Sequence, residues 1–302
     1  MRTMNVAFDM ETSDPDDVFT LCFLAGHPAV KLRAVTITPG SKQQIGLVKH
    51  VLKRLGLDIP IGARKPDHPK SCVSEFHHKW FGKIEEAVPD GLGWEILSSA
   101  CMSSFPLAIV TGGPLGNLGD MIANGRIHEL RGLIIQGGFA GDNVTKPEHR
   151  LPKFAGRETA PTFNLNGDVK SAWAVLAYPK VASRRLVSKN VCHGVIYDQP
   201  MHERMKPFRH VSAGIGMMIE GMEIYLKNKP EGKIFHDPLA ACVAIEPEVC
   251  EFREVAIYRI KGEWGSKLES GTKTWISTAV NRELFEQVLS GQRGGGRTES
   301  LP

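Results

Sequence analysis

The chain has 302 residues, 42% of them hydrophobic, with 37 basic against 33 acidic side chains and a formal charge of +4. That is enough apolar material for a large α/β domain, and because Lys and Arg are scattered rather than run together, a dedicated nucleic-acid surface is not indicated. Six cysteines without close spacing indicate neither a disulfide framework nor a zinc knuckle, and with no signal-like leader and no apolar run near the roughly 18 residues that cross a bilayer, a cytoplasmic protein without a membrane partner is expected.

Val6 to Phe8 is short and apolar, as a buried parallel strand is, and Asp14-Pro15 signals a helix start, with Asp14 as N-cap and Pro15 in the first turn. Five carboxylates (Asp9, Glu11, Asp14, Asp16, Asp17) therefore sit where a strand hands over to a helix. Val18 to Ala25 is almost wholly apolar, so this helix is buried on several faces, and Gly26-His27-Pro28 stops it. Lys31 to Thr38 predicts a second strand, and Ile45, Val48, Leu52 and Leu55 mark the amphipathic helix after it. Ile59 to Gly62 reads as a third strand, followed by a loop with a short helix in which Phe76, His77, His78, Trp80 and Phe81 are read as ordinary packing.

Trp94 to Ser103 predicts a helix and Leu107 to Val110 a strand ending in Thr111-Gly-Gly-Pro-Leu-Gly-Asn117; Leu133 to Ile135 is another, ending in Gln136-Gly-Gly138. Both glycine-rich turns belong on the rim that carries the acidic turn. Residues 139–162 have no period and are long for a structureless connection, which suggests a functional loop. Val169 to Ala177 is a helix and Arg184 to Ser188 a strand; residues 200–227 are helical, with a Met-rich stripe read as core. Phe235-His236-Asp237-Pro238 opens a further helix, Glu251 to Ile260 and Thr274 to Val280 form an antiparallel pair, and Arg282 to Leu289 is the last helix. The alternation predicts one α/β domain over 1–290: an open, mostly parallel Rossmann-like sheet with helices on both faces and a small antiparallel C-terminal extension, followed by a disordered tail over 291–302.

Asp16 and Asp17 in a first helical turn have a plain explanation, because carboxylates there complement the helix dipole. It weakens once Asp9, Glu11 and His236-Asp237 also fall at strand-to-helix junctions, since like charges so close repel unless a cation sits among them. Oxygen ligands without Cys or His spacing favour Ca²⁺ or Mg²⁺ over zinc.

The ordered set Asp9-x-Glu11 with Asp16-Asp17, Gly-Gly-Pro-Leu-Gly-Asn117, Gln-Gly-Gly138, Phe163-Asn164 and His236-Asp237-Pro resembles the nucleoside hydrolase family of calcium-dependent N-ribohydrolases over most of the chain. The resemblance implies a ribonucleoside substrate, standard or modified, cleaved to free base and ribose, and a homodimer or homotetramer. It assigns Ca²⁺ to Glu11, Asp17, Asp237 and the carbonyl of Gly112, with Thr111 one residue away. Asp16 matches the general base that takes a proton from the attacking water, and His236 the acid at the leaving base. Asp9, Asn143, Asn164, Ser41 and Tyr225 fall at substrate-binding positions. The chain departs from the family pattern in several places. The opening motif has one extra residue, Glu11 replaces Asp, and Ser13-Asp14 replace Pro-Gly. Ser41 replaces the Asn that braces the ribose, and Thr162 replaces the Glu expected two residues before Asn164, beside the ribose hydroxymethyl.

Two other readings fit parts of the sequence. Phe8-Asp9-Met10-Glu11-Thr12 also resembles the Asp-x-Glu-Thr motif of two-metal 3′–5′ exonucleases, but a helix rather than a hairpin follows and no later exonuclease motif is found. A non-catalytic nucleoside- or sugar-binding protein is the other.

Overall fold

The apolar run around Val6 forms the central strand β1 (Met4–Met10), which passes through the Asp14 N-cap into α1 (Pro15–Gly26). In this computed structural model, which describes residues 3–125, 130 and 132–294, the chain then alternates strand and helix. It runs through β2 (Val30–Ile37), α2 (Lys42–Arg54), β3 (Ile61–Ala63), α3 (Glu75–Phe81), β4 (Gly91–Leu92), α4 (Gly93–Ser103), β5 (Leu107–Thr111), α5 (Gly116–Ala123) and β6 (Gly132–Gln136). The second half comprises β7 (Thr159–Ala160), α6 (Phe163–Gly167), α7 (Val169–Ala177), β8 (Arg184–Val187), α8 (Lys189–Cys192), β9 (Ile196–Tyr197), α9 (Gln199–Met205) and α10 (Ala213–Asn228). It closes with β10 (Lys233–Ile234), α11 (Asp237–Ile245), β11 (Cys250–Ile260), β12 (Glu263–Leu268), β13 (Thr274–Val280) and α12 (Arg282–Leu289). Of the tail expected from Gly291, residues 295–302 lie outside the described residues.

Eleven strands form one sheet in the order β4-β3-β2-β1-β5-β6-β8-β13-β11-β12-β7. From β4 to β13 neighbours are parallel; β11, β12 and β7 extend the sheet antiparallel. The predicted α/β class and antiparallel extension are thus both present. What the sequence reading did not contain are β12, which forms a hairpin with β11, and the two-residue strands β4, β7, β9 and β10.

Side-chain alternation on β1 explains the layering. Val6, Phe8 and Met10 enter the larger core with α1, α2, α10, α11 and α12, whereas Ala7 faces the core built with α4, α5 and α7. Each of those large side chains is fully buried, which contributes about 1.5–3 kcal/mol apiece. Strand order reverses at β1: β2 lies on one side and β5 on the other. At such a switch point the carboxyl ends of the strands leave a crevice between diverging loops, and the acidic turn opens there.

Candidate active site

Two helix N-termini meet above the carboxyl end of β1. In α1, Asp14 is the N-cap and accepts the Asp16 N–H at 3.3 Å, which leaves Asp16 and Asp17 in the first turn. In α11, Asp237 is the first helical residue. One Asp16 oxygen, Oδ2, accepts the backbone N–H groups of His236 at 3.0 Å and Asp237 at 3.1 Å, so a side chain of one helix caps the start of the other. Carboxylate oxygens of Asp16, Asp17 and Asp237 lie within 4.8 Å of one another, and all three residues are at most 3% exposed.

These acids have different electrostatic surroundings. Lys233, on β10, places its Nζ 3.2 Å from Asp16 Oδ1 and 2.8 Å from Asp14 Oδ1. Against burial, which would raise it, the Lys233 ammonium and the His236 contacts hold the Asp16 carboxyl far below the usual range. Burial pushes Asp17 and Asp237 the other way, well above that range; Asp237 and Glu11 add to the effect at Asp17, and Asp16 and Asp14 add to it at Asp237. One cation therefore serves Asp14 and Asp16 and leaves two deeply buried carboxyls with uncompensated repulsion. Gly112, at the end of β5, faces them closely: a Cβ there would lie 2.8 Å from Asp237 Cγ and 3.0 Å from Asp17 Oδ1. Converging oxygen donors with excess negative charge fit a hard divalent cation.

A pocket of about 580 Å³ opens over this floor. Its lining includes Glu11, Asp16, Asp17, Gly112, Asn164, Tyr225, His236 and Asp237 from the sequence-based set. Asn164 donates through Nδ2 to the Gly112 carbonyl at 3.0 Å, to the Gln136 carbonyl at 3.1 Å and to Gln136 Oε1 at 2.7 Å, which ties α6 to both glycine-rich turns. His236 Nδ1 lies 3.6 Å from Asp16 Oδ2, and its ring meets the edge of His193 at 5.5 Å. Tyr225 packs on Phe76 and Phe19, so the aromatics read as packing support a pocket wall.

The other candidates are placed differently. Glu11 turns its carboxylate back on its own turn, accepting the N–H groups of Ser13 at 2.9 Å and Asp14 at 3.2 Å, and stands apart from the group formed by Asp16, Asp17 and Asp237. Asp9 lies beneath the pocket: its Oδ1 accepts from Thr36 Oγ1 and Asn117 Nδ2, each at 2.7 Å, and burial raises its carboxyl to about 6. Ser41 caps α2 and donates to the Ser71 carbonyl at 2.5 Å. Asn143 is exposed and donates to the Ser266 carbonyl at 2.7 Å. Gln136, from the second glycine-rich turn, lines the pocket too, as do Lys233, Lys189 and His193, which escaped the sequence reading. For Lys233 the only signal is its place three residues before His236; for the rest no pattern marks them.

The family model described as inosine-uridine preferring nucleoside hydrolase matches residues 6–287, nearly the whole length. The chain belongs to this family. A protein of Aquifex aeolicus carrying the name "Uncharacterized protein" is 30% identical over 93% of this chain and 96% of its own length. A pyrimidine-specific ribonucleoside hydrolase of Salmonella paratyphi A is 23% identical over 78% of this chain and 77% of its own. Among solved structures, a plant nucleoside hydrolase superposes with a TM-score of 0.70 at 18% identity, covering 95% of this chain and 99% of that one. As a nucleoside hydrolase, the protein cleaves N-glycosidic bonds of ribonucleosides, in a family that depends on a metal. The exonuclease reading is set aside on the same match. No helix among the described residues is long and apolar enough to cross a membrane.

Proposed function

We propose that this nucleoside hydrolase is calcium-dependent and splits a ribonucleoside, standard or modified, into free base and ribose. The observation that carries this is the convergence of Asp16, Asp17 and Asp237, three buried carboxylates from two helix starts, on the floor of one pocket. Asp17, Asp237 and the Gly112 carbonyl would hold the ion, with Glu11 at its edge. Bound there, calcium would acidify a water and orient ribose hydroxyls.

The protein's own groups divide the remaining work. Asp16 accepts a proton from the attacking water; Lys233 and the two N–H groups on Asp16 keep it anionic and fix its orientation. Its low proton affinity makes it a weak base, so it depends on the acidity of the water it serves. Asn164, held by three contacts, braces the ribose. His236, partly exposed and beside Asp16, supplies the proton that the departing base needs. Tyr225 forms an aromatic wall for the base. The reading further expects a homodimer or homotetramer acting in the cytoplasm without nucleic-acid or membrane partners.

Purified protein, stripped with a chelator and reloaded with calcium chloride, should release base and reducing sugar from a ribonucleoside panel only when reloaded. Full turnover by metal-free protein would overturn the calcium reading.

A further inference from the structure

The pocket carries basic groups as well as acids. Lys189, which opens α8, and His193, which follows it, line its wall, and Lys153 lies against His193 with Nζ 3.3 Å from Nδ1. The charges of Lys153 and Arg157 also bear on Lys189. Among the described residues, none of Lys153, Arg157 and Lys189 has a carboxylate within ion-pair distance, unlike their neighbours Lys146 and Arg150. Glu263, the acid whose charge reaches Lys189, is held by the Thr159 hydroxyl at 2.5 Å. Of the three, Lys189 lines the pocket while Lys153 and Arg157 stand exposed outside it; their charges add to that of Lys189, and an anionic ligand beside Lys189 relieves the repulsion.

The position of this wall says which end of the substrate it meets. Lys189 Nζ is pinned 2.9 Å from the Pro161 carbonyl, one residue before Thr162 and three before Asn164, the proposed ribose brace. Thr162 lines the pocket, and its buried hydroxyl has no hydrogen-bond partner among the described residues. It also stands where the family pattern has a Glu beside the ribose hydroxymethyl. At that end, then, a carboxylate is missing, a free hydroxyl donor takes its place and a lysine stands next to it. A glutamate would repel a phosphate there, whereas this arrangement attracts one.

We propose that the Thr162–Lys189 wall is an anion subsite for a 5′-phosphate, so that the preferred substrate is a ribonucleoside 5′-monophosphate. This rests on the N-ribohydrolase reading above. The bond from C1′ to the base nitrogen breaks and a bond from C1′ to water oxygen forms. One water proton goes to Asp16 and the base takes one from His236; base and ribose 5-phosphate leave, with the phosphate ester untouched.

The test compares kcat/KM for AMP, IMP, CMP and UMP, for the matching nucleosides, and for a nucleoside with a carboxylated base, all with calcium present. Monophosphates should exceed nucleosides by about tenfold or more, and Lys189→Met should reduce that ratio by about tenfold, the usual scale of one charge-assisted contact. Nucleosides cleaved as fast as their monophosphates, or a preference for the carboxylated base, would overturn the phosphate subsite and leave the N-ribohydrolase reading standing. If nothing is cleaved, that reading fails, and calorimetric titration with ribose 5-phosphate against ribose still decides the subsite. Tighter binding of the phosphorylated sugar that is lost in Lys189→Met supports it, and equal binding of the two sugars refutes it.

Discussion

At Gly112 one methyl group decides whether the acids can converge. Because a Cβ would meet both Asp237 and Asp17, Gly112→Ala forces at least one carboxylate to swing away, while the backbone itself has no positive-φ requirement at this position. Calcium affinity should fall by about tenfold or more, with a fold cost of about 1–3 kcal/mol from overpacking. Calorimetric titration with calcium chloride reads the affinity, and wild-type binding would show that the ion sits elsewhere. Lys233 behaves differently because it neutralises instead of coordinating. Lys233→Met leaves Asp16 buried without its ion-pair partner, and urea unfolding should show a loss of about 3 kcal/mol in metal-free protein. A loss under about 1 kcal/mol would mean that water already screens the pair. Asp16, Asp17 and Asp237 were legible because carboxylates at helix starts form a pattern. Lys233 was not, since a lone lysine on a two-residue strand has no periodicity to read.

At the scale of elements, the pocket depends on how closely α1 and α10 approach, for α1 carries Asp16 and Asp17 and α10 carries Tyr225. Gly26 and Gly214 make that approach possible: a Cβ on Gly214 would sit 2.3 Å from the Cys22 carbonyl oxygen and 2.7 Å from Gly26 Cα. Both obstacles are backbone, so the helices must separate. Gly214→Ala should cost about 1–3 kcal/mol in urea unfolding and raise KM more than it lowers kcat, since Tyr225 shifts while the acids stay together. An unchanged KM would detach Tyr225 from substrate binding. The Met-rich stripe read as core is core, with Met217, Met218 and Met222 all buried. Long apolar strands and amphipathic helices were readable from their periods to within a residue or two. By contrast β12, with Trp264, Gly265 and Ser266 buried in succession, has no alternation to betray it, and β7 is two residues long. Glu11 illustrates a further limit: a carboxylate beside two free N–H groups can cap its own turn as readily as reach a metal, and sequence does not rank the two.

Across the whole molecule, the first helix is tied to the last through His27. Its Nε2 lies 3.1 Å from the Val288 carbonyl of α12, and its Nδ1 accepts the Ala29 N–H at 3.1 Å. With one ring nitrogen donating and the other accepting, the imidazole must be neutral; a second proton would face the Ala29 N–H. Burial accordingly pushes His27 down to about 4. The unfolded chain takes up this proton near pH 6.5 and the folded protein only near 4, so the unfolded state binds more protons throughout that window. Stability contributed by neutral His27 is full above pH 6.5 and is lost as pH falls toward 4, by on the order of 3 kcal/mol. His27→Gln can keep the bond to Val288 but cannot take the proton. In urea unfolding at a series of pH values, the variant should therefore be the less stable protein at pH 7.5 and close the gap by about 1–2 kcal/mol at pH 5, a comparison in which the acids common to both proteins cancel. Parallel curves over that range would show that the N- and C-terminal helices are joined by packing alone.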